Sequence, residues 1–145
     1  MKTIRLLPLF LLAAAALSAE AEKTAAGPKG GRLLATEPHA AEFFVTAART
    51  VEITFYDAAK QPVSPGPQVV TVTAEPAAGR VAVALERTAT GFVSTAALPA
   101  GEPYRVVVQV RATADAKPKN FRIDFSLAHC AECKHAEYAC TCASH

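Results

Sequence analysis

Five runs of this chain alternate apolar and polar residues with a period of two, and nothing else in the sequence limits its fold as tightly. Val51, Ile53 and Phe55 face one way, with Glu52, Thr54 and Tyr56 opposite. Val70 and Val72 alternate with Thr71 and Thr73, and Val81, Val83 and Leu85 with Arg80, Ala82, Ala84 and Glu86. Tyr104, Val106, Val108 and Val110 alternate with Arg105, Gln109 and Arg111, and Phe121, Ile123, Phe125 and Leu127 with Arg122, Asp124 and Ser126. Successive side chains of a strand point to opposite faces, so each run predicts a strand with one face in a core.

Shorter candidates are Leu33-Leu34, the run from Glu42 to Val45, and Phe92-Val93 after Gly91. The breaks are rich in turn formers: Gln61 to Pro67, Glu75 to Gly79, Leu98 to Pro103 and Asp115 to Pro118. Pro38 removes a ladder donor and keeps Glu37 out of the helical region. The alanines sit in the N-terminal segment, turns and small strand positions, so no helix longer than two turns is required. The expectation is an all-β fold: an immunoglobulin-like antiparallel β-sandwich of seven to eight strands with a short Cys-rich C-terminal tail. A Greek-key barrel is the other closure such a pattern permits.

The first residues have a different character. Lys2 and Arg5 precede a short apolar stretch, Leu6 to Leu12, that runs through Ala13–Ala16 to Leu17, Ser18 and Ala19. A basic start, a short apolar centre and small residues at the end make an export signal, cleaved after Ala19 or Ala21. The apolar run falls short of the roughly 20 residues that a membrane span needs. No cysteine marks a lipid attachment point, so no membrane insertion is expected after cleavage, and the mature protein is expected to be periplasmic or secreted. The organisation is read as signal peptide 1–19, flexible leader 20–29, β-sandwich 30–128 and Cys/His-rich tail 129–145. Removing Lys2 and Arg5 takes the 15 basic residues to 13 against 13 acidic ones, so the net charge falls from +2 to zero. With the remaining Lys and Arg scattered, nothing points to nucleic acid.

All four cysteines lie in the tail: Cys130 and Cys133 with two residues between, then Cys140 and Cys142 with one between. His129, His135 and His145 accompany them. Soft sulfur and borderline nitrogen donors at this density suit zinc or cuprous copper. The expected ligands are Cys130, Cys133, Cys140 and Cys142, with His129 and His135 as alternates. Disulfides are the competing reading, because exported chains meet an oxidising environment. The link from Cys140 to Cys142 would close a strained ring, which leaves cross-pairing of the two halves. Redox use of Cys130 and Cys133 as in thioredoxin would need a βαβ setting that is missing. His39 and Lys29 read as surface and loop residues. No Ser, His and acid grouping, phosphate loop or His-Glu-x-x-His is present, so no enzyme is expected.

The run Gly27-Pro28-Lys29-Gly30-Gly31-Arg32-Leu33-Leu34, followed by Glu37-Pro38-His39-Ala40-Ala41-Glu42-Phe43-Phe44-Val45, resembles the small β-domain near the N-terminus of periplasmic adaptor subunits of heavy-metal efflux systems. The chain is also similar to small exported bacterial proteins that end in a Cys-x-x-Cys, Tyr, Cys-x-Cys tail. The adaptor domains often carry His where this chain has Lys29, so the resemblance gives the N-terminal loop no metal role. It implies metal sequestration or delivery, with an efflux adaptor or another cell-envelope protein as partner. The reading is an exported metal-binding protein, with a disulfide-stapled interaction module of the cell envelope as the alternative. Because Leu127 ends the last alternation before the cysteines, the tail is expected to be dispensable for folding.

Overall fold

The structure, a computed structural model, describes residues 24–142; the expected export signal, leader residues 20–23 and His145 lie outside that range. Among the described residues, eleven strands form two antiparallel sheets. The first sheet holds β1 (Ala25–Ala26), β2 (Arg32–Leu34), β3 (Ala40–Val45), β4 (Val51–Tyr56), β9 (Gly91–Ser94) and β8 (Leu85–Arg87) in that spatial order, with β5 (Pro62–Val63) paired to β4. The second holds β11 (Lys119–Phe125), β10 (Tyr104–Arg111), β6 (Val69–Glu75) and β7 (Val81–Val83). The chain changes sheet after β5, after β7 and after β9, which is the Greek-key order of an immunoglobulin-like sandwich. Tyr104, at the start of β10, donates its hydroxyl hydrogen to the Pro99 carbonyl five residues upstream at 2.7 Å, the tyrosine corner of such folds.

The alternating faces meet as the sequence predicts. Phe43, Val51, Ile53, Phe55, Val72, Val106, Val108, Ile123 and Phe125 are all buried between the sheets. The strand count exceeds seven to eight for two reasons. β1 and β5 are two-residue additions to the rim, and the run from Val81 to Leu85 is two strands. β7 pairs with β6, whereas β8 pairs with β9, with the crossing at Ala84, whose carbonyl accepts the Thr95 amide at 3.0 Å. A strand that leaves one sheet for the other cannot keep one face inward, and Val81 is 42% exposed.

The leader is not all loose. Ala25 and Ala26 pair with Leu33 and Arg32, and the loop from Gly27 to Gly31 folds over the outer side of β3. There Glu42 is fully buried. Its carboxylate accepts the amides of Lys29 at 3.0 Å and Gly31 at 2.8 Å, and the Tyr56 hydroxyl at 2.8 Å. A buried carboxylate needs such partners, because an unpaired one is costly. The glycines serve this approach: a Cβ on Gly27 would fall on the Glu42 carboxyl group, and one on Gly31 on the Phe43 carbonyl. Lys29 closes over the loop with an ion pair to Glu52 at 2.6 Å.

The second departure is the tail. A 3-10 turn, Glu137–Ala139, carries Tyr138 and Ala139 into the core, next to Phe43 and Phe125. The sandwich therefore closes its core with the tail rather than before it.

All three tyrosines of the protein have pKa values above the ordinary phenol range, each chiefly because burial disfavours the phenolate. For Tyr56 burial and the Glu42 carboxylate push it up to about 12. A group whose folded pKa is raised stabilises the fold below its unfolded pKa and loses that contribution as pH climbs through the folded value. Spectrophotometric titration should thus find little tyrosinate at pH 10 in the folded protein, while the unfolded chain is about half ionised there. Tyrosinate at that fraction without loss of structure would contradict the packing of these rings.

Candidate metal centre

Strand β11 ends at Phe125, and the chain then makes a compact knuckle. The Lys134 amide donates to the Cys130 carbonyl at 3.0 Å, and the Cys130 amide to the His135 carbonyl at 2.8 Å, closing a turn around Ala131, Glu132 and Cys133. Lys134 takes a positive φ of 60° to complete it. The Glu137 amide returns to the Ala128 carbonyl at 2.8 Å, so the second half of the tail lies back along the first. Tyr138 then anchors in the core and delivers Cys140 and Cys142 opposite the knuckle.

The outcome is convergence of all four thiols. Their sulfur atoms lie within 4.8 Å of one another, with Cys133 and Cys140 at 3.5 Å and Cys130 and Cys142 at 3.8 Å. Cys130 and Cys140 are buried, Cys133 and Cys142 half-buried, and none of the four is in a disulfide. The donor set fits a metal ion: a regular tetrahedron of thiolates at about 2.3 Å from zinc has edges of about 3.8 Å.

The electrostatics argue the same way. The Cys133 sulfur accepts the backbone amide of Thr141 first and that of His135 second, and these donors hold its pKa below the ordinary thiol value. Cys140 accepts the Cys142 amide at 3.4 Å, which favours its thiolate, but burial and the neighbouring Cys130 and Cys133 thiols outweigh this and raise its pKa. Cys142 is pushed far above the ordinary range by its contact with Cys140, then by burial and by Cys130, Glu132 and Cys133. Four sulfurs at these separations cannot all be thiolates without a cation among them. One sulfur whose thiolate is favoured by backbone amides, beside two whose protons are held more tightly, is a donor set that a cation would complete.

The histidines expected as alternates do not join the converging donors. His129 is exposed and paired through its backbone with Ala136, and His135 gives its carbonyl to the Cys130 amide. The His135 ring borders the glycine loop instead, since a Cβ on Gly30 would stand 3.7 Å from its Nδ1. The hairpin engages both residues through their backbones, and the ligand atoms that close on one point are the four thiols alone. His39 belongs to no such cluster among the described residues.

Two residues of the site were not singled out by sequence reasoning. Tyr138 sets the position of Cys140 and Cys142, and Glu42 fastens the loop against which His135 rests. The one signal for Tyr138 was its place as the only aromatic between Cys133 and Cys140. Comparison of the chain with protein-family models, curated proteins and solved structures gives no match.

Proposed function

We propose that this chain is an exported, non-enzymatic metal-binding protein that holds one zinc ion in a closed tetrahedral site made by Cys130, Cys133, Cys140 and Cys142. The single observation that carries the reading is the convergence of the four sulfur atoms within 4.8 Å, at spacings of a tetrathiolate tetrahedron. Cuprous copper is the second choice, since it shares the preference for thiolates. Zinc ranks first because copper bound by two or three thiolates would leave one sulfur or more of this set unused. With four protein ligands no position is open for substrate, which is the pattern of a holding site rather than a catalytic one.

The knuckle grips the ion and the tyrosine locks the knuckle to the sandwich, so metal binding is coupled to the stability of the whole domain. Such a site suits sequestration or transfer of a metal in the cell envelope, and the resemblance to efflux adaptor domains suggests where its cargo would go. Titration of the reduced protein with cobalt(II), followed by displacement with zinc and native mass spectrometry, tests the site. The expected result is one ion per chain, the intense visible bands of tetrahedral tetrathiolate cobalt, and loss of both in Cys133→Ser/Cys140→Ser. No retained ion in reduced wild-type protein, or equal retention in the double variant, would sink the reading.

A further inference from the structure

The four sulfurs are not equivalent in their access to solvent, and the inequality follows the close pairs. Half-buried Cys133 faces buried Cys140 at 3.5 Å, and half-buried Cys142 faces buried Cys130 at 3.8 Å. Each pair also crosses from the knuckle to the returning segment. We propose that the site releases its ion in response to a peroxide, which converts the four thiolates into two disulfides, Cys133 to Cys140 and Cys130 to Cys142. The inference deepens the metal-binding reading and rests on it.

The step balances within each pair. The half-buried sulfur, as a thiolate, attacks one peroxide oxygen, the O–O bond breaks, hydroxide leaves, and the sulfur becomes a sulfenic acid. The buried partner then attacks that sulfur; the S–S bond forms, the S–O bond breaks, and a second hydroxide departs. Two solvent protons convert the hydroxides to water. Each pair gives two electrons to one peroxide, so two peroxides empty one site. Neutral disulfide sulfur offers a divalent ion no charge, and the ion passes to water. The buried partner at van der Waals distance captures the sulfenic acid before a further peroxide can oxidise it.

The experiment uses the reduced full mature chain loaded with zinc, treated with hydrogen peroxide, and followed by a chromogenic zinc chelator and peptide mass spectrometry. Trypsin cuts after Lys134 and separates Cys130 and Cys133 from Cys140 and Cys142. The expected result is one zinc freed per two peroxides, with the two cysteine peptides joined. To establish the pairing, Cys130→Ser/Cys142→Ser should form its one bridge readily. Cys133→Ser/Cys142→Ser, which keeps the two buried sulfurs, should react about tenfold more slowly, since access governs thiol oxidation. Zinc that stays bound in excess peroxide, bridges confined within one half, or sulfinic acids in place of bridges would overturn the release mechanism and leave the metal site standing. Failure of the untreated protein to take up zinc would instead overturn the metal-binding reading, and the release mechanism with it.

Discussion

Tyr138→Ala should destabilise the protein by about 3–5 kcal/mol, the range for removing a large aromatic from a core. The ring is 3% exposed and lies edge-on to Phe43, with centroids 5.6 Å apart, and against Phe125 at 5.7 Å. Its hydroxyl oxygen accepts the Val45 amide at 3.0 Å, at the end of β3, where the pairing with β2 has already stopped at Phe43. Alanine would leave a cavity between the sheets and an unpaired amide beside it. Tyr138→Phe isolates the second part: the ring stays, and the stranded amide costs about 1–3 kcal/mol. Both variants can be compared with wild type by urea unfolding in the presence of a metal chelator, so that zinc binding does not enter. A domain of this size is stable by only about 5–15 kcal/mol, so the alanine variant stands near the edge of folding and removal of residues 129–142 should cost more. The sequence alone predicts the opposite, an intact domain without its tail. A shift below about 1 kcal/mol for Tyr138→Ala would show that the sandwich closes without it.

Zinc should raise the stability of the whole domain rather than of the tail alone, because Cys140 follows directly on the buried pair Tyr138 and Ala139. At a free zinc concentration a thousandfold above its dissociation constant the gain is about 4 kcal/mol. Its dependence on pH has a defined sign. Binding requires thiolates, and Cys140 and Cys142 hold their protons above the ordinary thiol range, so zinc must displace them. The zinc contribution therefore grows as pH rises and fades as pH falls from about 7 toward 5, where thiols, ordinarily near pKa 8.5, resist ionisation.

The metal-free protein should behave differently in alkali. The raised values of Cys140 and Cys142 stabilise the fold below the ordinary thiol pKa, and that contribution is lost as pH rises through the folded values. Cys133 has the reverse sign: its lowered value stabilises the fold above the ordinary thiol pKa and fades as pH falls through the folded one. Melting curves from pH 5 to 9, with zinc and with chelator, should thus converge at the acid end and diverge with rising pH. Parallel curves, or the same divergence in Cys133→Ser/Cys140→Ser, would break the link between the cysteines and the fold.

The sequence by itself determined the layers of this protein. Alternation at Val51 to Phe55, Val106 to Val110 and Phe121 to Phe125 assigns each strand a core face, because a pleated backbone leaves no other arrangement. The same local rule placed the turns and gave the tail its thiol donors, since residue type fixes ligand chemistry wherever the residues end up. Tertiary structure decided everything that depends on partners far away in the chain. Val45 and Tyr138 stand 93 positions apart, and only the Greek-key order brings them to 3.0 Å, which makes a tail residue part of the core. Glu42 is only the first residue of a short strand candidate in the sequence, whereas in the fold the glycine loop covers it and supplies its donors. The run at Val81 to Leu85 looks continuous, yet β7 and β8 belong to different sheets, because strand pairing is set by neighbours and not by the strand's own pattern. His129 and His135 are close to the cysteines in sequence, but their rings are not among the converging donors. Proximity along the chain supplies candidates for a ligand set; the hairpin's hydrogen bonds and the anchored tyrosine select from them.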